Sequence, residues 1–214
     1  MQKTDWRKEL KHLYNPPSGD VVEADVPPMR FLMHDGEGDP NGQPFEDALG
    51  SLYAVSYALK FMVRERTAID YAVSPVEGLW SGEDPSLFVL DDEDAWRRTT
   101  ANRESWRWTL MVMQPDLVTT DLFEEAREKV GQKKGAGAVR GLRFESFQEG
   151  KSAQILHRGP YAEEWPAIKK VHDHIGAVGA KPSGRHHEIY LNDPIRTSPG
   201  NLRTVIRQPF IPAG

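Results

Sequence analysis

The segment from His186 to Pro194 reads HHEIYLNDP and carries the residue types best suited to chemistry. Its alternation of polar and apolar residues predicts a β-strand, on which Glu188 and Tyr190 point to the same face. A carboxylate on a largely apolar strand is costly to bury unless it is paired or used. In a binding site, Glu188 could accept a proton from a water molecule as a general base, and Tyr190 could position that water. The alternative is that Glu188 lies at a solvated strand edge.

Four aromatic residues elsewhere in the chain could form the walls of a site for a flat ligand. Trp106 and Trp108 lie two apart in the run WRWTLMVM, which predicts a strand with both side chains on one face. That face could stack on a ligand, or it could pack in the core against the helices. Trp80 is a third candidate for stacking. Tyr161, in the turn that opens a predicted helix, could reach the same groove or pack at the helix start.

Several motifs that suggest other chemistry fail on geometry. His172 and His174 are two apart on a predicted helix, so their side chains lie on nearly opposite faces. His186 and His187 are neighbours on a strand and also point apart. The glycine-rich segments match no phosphate-binding loop, and the GxSxG signature of a nucleophilic serine is absent. We therefore predict no metal and no cofactor.

The composition excludes several classes of protein. The chain has 214 residues and a net charge of −5, which argues against nucleic acid as a partner because such proteins normally carry a basic face. It contains no cysteine, which excludes disulfides, thiol nucleophiles and thiolate metal sites. No window is apolar enough for a membrane span, and the N-terminus has no secretory signal. A soluble cytoplasmic protein that does not bind membranes is the expectation.

Apolar periodicity predicts a succession of strands and helices that position these residues. Residues 1–20 are predicted to be a loose N-terminal arm with a short helix, and residues 83–94 to be mostly loop. Residues 144–149 and 151–157 are predicted to pair as a hairpin. The remaining strands are predicted at 21–26, 29–34, 71–79, 106–113, 188–191 and 202–208, and the helices at 45–66, 121–130 and 161–178.

A weak internal repeat organises these elements. RFLMHDGEG followed by PFEDALGSL is similar to AQILHRGPY followed by EWPAIKKVH, and each copy continues into a strand with a glutamate and an aromatic residue. Glu77 in the first copy thus corresponds to Glu188 in the second, and is a further candidate for ligand binding. The repeat predicts one α+β domain, residues 21–214, made of two strand–helix–strand–strand modules at about 21–115 and 142–209. Chance similarity is the alternative.

Two such modules can pair edge to edge, because each has exposed sheet edges to cover. The result is an antiparallel sheet on a pseudo-two-fold axis, with both helices on one face and a ligand cleft on the other. A monomer is then complete, although edge strands could still form a weak homodimer.

The stretches HHEIYLNDP, RGPYAEEWPAI and ESWRWTLMVMQP resemble those of the GyrI-like (gyrase-inhibitor-like) small-molecule-binding proteins. The similarity runs from about Val21 to Pro209 and is greatest to the members that stand alone, without a DNA-binding domain. It implies the tandem fold and a ligand cleft between the modules. In related effector-binding domains of multidrug-responsive transcription regulators, a carboxylate on this late strand meets cationic or polar drugs. Some stand-alone members are hydrolases that open the cyclopropane ring of DNA-alkylating toxins.

The residues and the resemblance together predict a protein that binds flat aromatic or amphipathic small molecules. Hydrolysis of cyclopropane-bearing alkylating toxins, a detoxification, is the leading hypothesis. Glu188 and Tyr190 would be catalytic, and Trp80, Trp106, Trp108, Tyr161 and Glu77 would bind the ligand. The alternative is a drug-binding or ligand-sensing protein without turnover. A gyrase-binding inhibitor would need a protein-binding surface, which the sequence does not indicate.

Overall fold

The structure is a computed structural model that describes residues 2–84, 88, 90 and 92–212. Its strands are β1 (Gln2–Thr4), β2 (Val22–Val26), β3 (Met29–Glu37), β4 (Ile69–Tyr71), β5 (Val76–Gly82), β6 (Trp106–Gln114), β7 (Arg143–Phe147), β8 (Gly150–Arg158), β9 (Ala180–Pro182), β10 (His186–Tyr190) and β11 (Arg203–Pro212). Its helices are α1 (Trp6–Glu9), α2 (Lys11–Tyr14), α3 (Gln43–Thr67), α4 (Glu93–Ala101), α5 (Thr120–Lys134) and α6 (Trp165–Ala177).

The main sheet is built from two copies of a strand–helix–strand–strand unit. The first copy is β3-α3-β5-β6 and the second is β8-α6-β10-β11. The strand order β2-β8-β11-β10-β5-β6-β3-β7 brings the two copies together where β5 and β10 pair antiparallel. The predicted α+β class, antiparallel sheet and tandem modules are therefore confirmed.

The predicted hairpin between residues 144–149 and 151–157 is wrong. β7 pairs with β3 of the first module, whereas β8 pairs with β2 and β11. The register is continuous across both ladders, from Val22 opposite Gln154 to Met33 opposite Arg143. β2–β3 and β7–β8 thus run as two long antiparallel segments that bend at Pro27 and Pro28. This ladder links the two ends of the strand order, although among the described residues β2 and β7 are each paired along one side only.

Both module helices lie on the same face of the sheet. The apolar side of α3 packs on Leu32 and Leu110, and that of α6 packs on Ile155 and Ile206. These contacts bury one stripe of each helix, as the three- and four-residue spacing of their apolar residues requires. The opposite face of the sheet carries no module helix.

The N-terminal segment, residues 6–14, fills that opposite face. Leu13 and Tyr14 are buried against Ile189 of β10, and Trp6 and Leu10 pack on a second cluster of apolar sheet residues. The predicted loose arm is therefore wrong for these residues. Apolar side chains of the arm occupy the middle of the helix-free face, the face on which the cleft is predicted.

Two local features differ from the sequence prediction. α4 was not predicted; it begins at Glu93, within the predicted loop 83–94, of which residues 85–87, 89 and 91 lie outside the described residues. α5 begins earlier than expected, because Thr119 caps it by accepting a hydrogen bond from the backbone N–H of Leu122. None of the helices in the described part of the chain is long and apolar enough to cross a membrane.

Candidate functional site

A chain of hydrogen bonds joins three of the predicted residues. The indole Nε1 of Trp80 donates to the hydroxyl of Tyr190 over 3.0 Å, and that hydroxyl donates to Glu188 Oε2 over 2.7 Å. Glu188 and Tyr190 lie on one face of β10, as the alternation predicts, and that face carries the helices. Glu188 is 9% exposed, so its carboxylate is buried and paired and does not lie at a solvated edge.

The central pairing of β5 and β10 explains why Trp80 can reach this position. Gly78 lies directly opposite Glu188, and a Cβ at Gly78 would come within 2.8 Å of Trp80 Nε1. The indole therefore occupies the space that a side chain at position 78 would fill. A glycine in the strand thus allows the indole to donate to Tyr190.

Replacing that glycine is expected to disturb the site from within the sheet. Gly78→Ala should displace the Trp80 indole and lower the free energy of unfolding by about 1–3 kcal/mol through overpacking. Chemical denaturation measures this change. The control is Gly50→Ala on α3, where a Cβ meets nothing within 4 Å, so stability should rise by up to about 1 kcal/mol. An unchanged free energy of unfolding in Gly78→Ala would contradict this account of the indole.

His186 holds the second oxygen of the carboxylate. Its Nε2 lies 3.1 Å from Glu188 Oε1, and its ring stacks on Phe88 with centroids 6.3 Å apart. The Nδ1 atom of His186 is buried and has no hydrogen-bond partner among the described residues. Sequence reasoning considered His186 only as a metal ligand, although its parity with Glu188 and Tyr190 indicated the shared face.

Glu164, which precedes α6, brings a second carboxyl group to the site. It is 1% exposed, and its Oε1 has no hydrogen-bond partner among the described residues. Burial, and then the negative charge of Glu188, raise the pKa of Glu164 well above its usual value. Sequence reasoning missed Glu164, since an acidic residue at a helix start is ordinary. Only the tertiary fold shows that this residue points inward.

The predicted tryptophans form the apolar side of this site and continue into the core. Trp80 stacks on Phe45 of α3 with ring centroids 6.0 Å apart, and Trp106 meets Trp80 edge-on at 5.3 Å. Trp108 meets Phe45 edge-on at 5.1 Å. Trp80 donates to the hydroxyl of Tyr190, whereas Trp106 and Trp108 are buried in the core and Trp108 also lines a surface depression.

Tyr161 lies at the outer limit of the site. Its ring meets that of Tyr190 edge-on at 5.6 Å, and the residue is 36% exposed. Burial, and then the charge of Glu164, raise the pKa of Tyr161 to about 12. Burial and Glu188 likewise raise the pKa of Tyr190 well above its usual value. Both tyrosines therefore remain phenols at neutral pH and can donate hydrogen bonds.

Glu77 is not brought to this site. It lies on the helix-free face, fully buried, where the hydroxyl of Tyr14 donates to its Oε1 over 2.7 Å and His187 Nε2 lies 3.1 Å from its Oε2. His187 Nδ1 in turn lies 3.0 Å from Glu149 Oε1, and Glu149 Oε2 accepts from Arg207 over 3.1 Å. Glu77 therefore belongs to a buried charge network that holds the N-terminal segment.

Comparison with known proteins places this arrangement in a family. A model of the GyrI-like small-molecule-binding domain matches residues 111–210. The crystal structure of a hydrolase from Listeria innocua is 32% identical, with 98% of this chain and 100% of that chain covered and a TM-score of 0.83. An uncharacterized conserved protein from the same organism is 33% identical, with 97% and 99% covered and a TM-score of 0.84. This chain belongs to the GyrI-like family.

The GyrI-like assignment confirms the resemblance seen in the sequence. The C-terminal domain of EcmrR shares the fold, with a TM-score of 0.55 at 9% identity over 91% of this chain and 98% of that domain. No curated protein matches the chain in sequence. The region matched by the family model holds Glu164, His186, Glu188 and Tyr190, whereas Trp80 and Phe45 come from the first module.

Two further observations limit the chemistry of this GyrI-like site. Within the described ranges, no three His, Asp or Glu side chains are placed to hold one metal ion. A surface depression of about 690 Å³ lies apart from the buried carboxyls and is lined mainly by polar residues, including Asp35, Arg107, Arg143 and Arg185. Glu188 is buried, and neither Glu188 nor Tyr190 lines this depression.

Proposed function

We propose that this protein binds flat aromatic small molecules between its two modules and hydrolyses those that carry a strained, conjugated cyclopropane. The observation that carries the proposal is a buried carboxylate, Glu188, held between His186 and the phenol of Tyr190, which in turn accepts from the Trp80 indole. Burial excludes bulk water and strengthens the electrostatic interactions that a developing charge requires. The likeness to a hydrolase from Listeria innocua supports the same class of reaction.

The proposed reaction consumes one water molecule. The water oxygen bonds to the cyclopropane methylene carbon while the strained carbon–carbon bond breaks. The electron pair of that bond moves through the conjugated ring to the remote carbonyl oxygen, which becomes a phenolate. Glu188 takes the proton that the water loses and then releases it to solvent, and the phenolate takes up one proton from solvent, so the product is a phenol with a hydroxyethyl arm. Positioning and charge stabilisation suffice, because the substrate is already electrophilic.

The two tyrosines have different roles in this proposal. Tyr190 stays bonded to Glu188 Oε2 and fixes the orientation of the carboxylate towards the water. Tyr161, which is partly exposed and remains a phenol, donates a hydrogen bond to the developing phenolate. Trp80 and Phe45 supply the aromatic wall against which the ligand packs.

A binding protein without turnover is the second candidate. It is favoured by one observation: both oxygens of Glu188 already have partners, His186 Nε2 and the Tyr190 hydroxyl. A carboxylate fixed in this way serves well as a counter-charge for a ligand. A carboxylate has about four acceptor positions, however, so a water can still be held beside these partners.

Turnover distinguishes the two candidates. The protein is incubated with a large molar excess of a cyclopropane-fused dienone alkylator in ¹⁸O-labelled water, and products are followed by mass spectrometry. We expect many equivalents of ring-opened phenol, with the label in the new hydroxyl group. Product that stops at one equivalent, or alkylator that is protected without being opened, would favour the binding protein. An absence of both product and binding would reject the proposed function.

A further inference from the structure

The outward face of α3 leaves aromatic side chains open to solvent in the described part of the chain. Tyr57 and Phe61 are each 48% exposed, whereas the opposite face of this helix is buried in the core of the first module. The Tyr57 ring lies 6.4 Å from that of Phe61 and 6.4 Å from that of Tyr53, so the three rings form one continuous row. Adjacent exposed aromatic residues in the middle of a 25-residue helix are typical of an interaction surface.

The outward residues of α3 follow the spacing of a helix that pairs with another helix. The alternating three- and four-residue steps define an outer seam, made of Asp47, Gly50, Ala54, Tyr57, Phe61 and Arg64. All of these residues are exposed except Ala54, which is half-buried. A Cβ at Gly50 would meet nothing within 4 Å, so there is open space above this position for a side chain of a partner.

The outer seam is complementary to itself when two copies of α3 run antiparallel. A two-fold axis between positions 55 and 56 sets Phe61 opposite Gly50 of the partner subunit. The same axis sets Tyr57 opposite Ala54 of the partner subunit. Each large ring therefore lies against a small residue, which allows the two helices to pack closely.

The charges at the two ends of the outer seam favour the same register. Asp47 lies at its amino-terminal end and Arg64 at its carboxyl-terminal end, about 26 Å apart along the helix. The Arg64 guanidinium lies over the Phe61 ring, 4.9 Å from its centroid, and thus borders the aromatic row. The two-fold axis between positions 55 and 56 sets Arg64 opposite Asp47 of the partner subunit. Two parallel copies would instead bring like charges together.

We propose that this protein forms a two-fold symmetric homodimer through the outer seam of α3. The partner is a second copy of the chain, because one two-fold operation matches the aromatic, small and charged positions of the seam together. The dimer covers Tyr57 and Phe61 and forms the pair between Arg64 and Asp47 of the partner subunit twice. This inference goes beyond the proposed function and does not depend on it.

Sedimentation velocity measures the oligomeric state of the full chain. We expect twice the monomer mass at micromolar concentration and dissociation on dilution. The double variant Tyr57→Ser, Phe61→Ser removes both rings and should raise the dissociation constant at least about 10-fold. The control is Ile195→Ser, which removes an apolar side chain that is 93% exposed outside α3 and should leave the dissociation constant unchanged. A wild-type chain that is monomeric at every concentration would overturn the inference.

Exchange of the two charges tests the antiparallel register. Arg64→Glu sets a negative charge against Asp47 of the partner subunit, and Asp47→Arg sets a positive charge against the partner's Arg64. Each single variant should raise the dissociation constant at least about 10-fold at low salt. The double variant restores two pairs of opposite charge and should recover most of that loss. Dissociation of the single variants without recovery in the double variant would overturn the register.

A different occupant of the outer seam gives a different result. A monomer in which hydrogen exchange along the exposed face of α3 slows only when a flat aromatic ligand is added would assign the seam to the ligand and overturn the dimer. If the serine variant does not fold, as judged by circular dichroism, the charge variants still decide the matter, because Asp47 and Arg64 are exposed.

Discussion

Glu188→Gln is expected to lower kcat for ring opening by about 10²- to 10⁴-fold, because the amide cannot accept the proton that the attacking water loses. The affinity for a neutral flat ligand should change little, since glutamine keeps the size of the side chain and an oxygen for the Tyr190 hydroxyl. Single-turnover and steady-state kinetics, with binding measured separately, give the two quantities. Glu163→Gln, which changes an exposed acid near the same turn, is the control and should match the wild-type chain.

The result of this substitution assigns the role of Glu188. A loss of kcat with preserved binding identifies the general base. A large loss of affinity for cationic ligands with unchanged kcat would instead identify a counter-charge. Full activity with unchanged binding would remove Glu188 from the mechanism.

The sequence allowed one half of the site to be predicted, because that half lies within a single strand. Alternation alone placed Glu188 and Tyr190 on one face, and the repeat set that strand against the strand of Trp80. The same alternation separates Glu77 from the site, since Gly78 and not Glu77 lies opposite Glu188. The repeat paired Glu77 with Glu188 by sequence position. In the sheet, the residue that shares the face of Glu188 is the next one along β5, Gly78.

The other half depends on tertiary contacts that leave no local signal. Glu164 approaches Glu188 only because α6 packs across the second module, and the sequence around it is that of an ordinary helix start. The pairing of β7 with β3 was hidden for a related reason. Two alternating runs separated by Gly150 are typical of a hairpin, whereas the actual partner of β7 lies more than a hundred residues away in the chain.

The sequence also gave no sign that the N-terminal segment covers the helix-free face. Charged residues within alternating strands normally indicate a solvated face, so Glu77, His187 and Arg207 gave no reason to expect a covered one. In the structure they are buried, and they contact one another, Glu149 and the arm. Because these buried charges pair with one another, a polar strand face can lie beneath an amphipathic segment.

Arg207→Met is expected to cause the largest loss of stability, because Arg207 is 1% exposed and connects the sheet to the arm. Its guanidinium donates to Glu149 Oε2 over 3.1 Å, to Gln154 Oε1 over 2.9 Å and to the carbonyl oxygen of Leu13 over 2.8 Å. Removing it leaves Glu149 as a buried charge with only His187 as a partner, which should cost about 3–5 kcal/mol of unfolding free energy. Chemical denaturation measures the loss, and limited proteolysis reports release of the arm.

The control removes a guanidinium of the same chemistry from the surface. Arg66 pairs with Glu125 at 2.6 Å, with both side chains about half exposed, so Arg66→Met should cost no more than about 1 kcal/mol. A similar small loss for Arg207→Met would show that the buried network contributes specificity of packing and little stability.

The pH dependence of the Arg207→Met deficit tests the electrostatic cause. Burial alone would raise the pKa of Glu149, but His187 and Arg207 outweigh it and hold that pKa at about 2. A carboxyl with a depressed pKa stabilises the fold above its unfolded value near 4.5, and this contribution is lost as the pH falls through about 2. Without Arg207, Glu149 takes up its proton at higher pH. The difference in unfolding free energy between the wild-type chain and Arg207→Met should therefore become smaller as the pH is lowered from about 4.5 towards 2.

His187, which belongs to the same buried charge network, predicts a loss of stability as the pH rises. Burial alone would lower the pKa of His187, but Glu149 and Glu77 outweigh it and raise the pKa above 6.5. A raised pKa contributes stability that is fully present below the unfolded value and is lost as the pH rises through the folded value. The contribution of this network to the unfolding free energy of the wild-type chain should thus be greatest between about pH 4.5 and 6.5. A deficit in Arg207→Met that stays constant across the whole range would mean that lost packing of its aliphatic stem, and not unpaired charge, explains the loss.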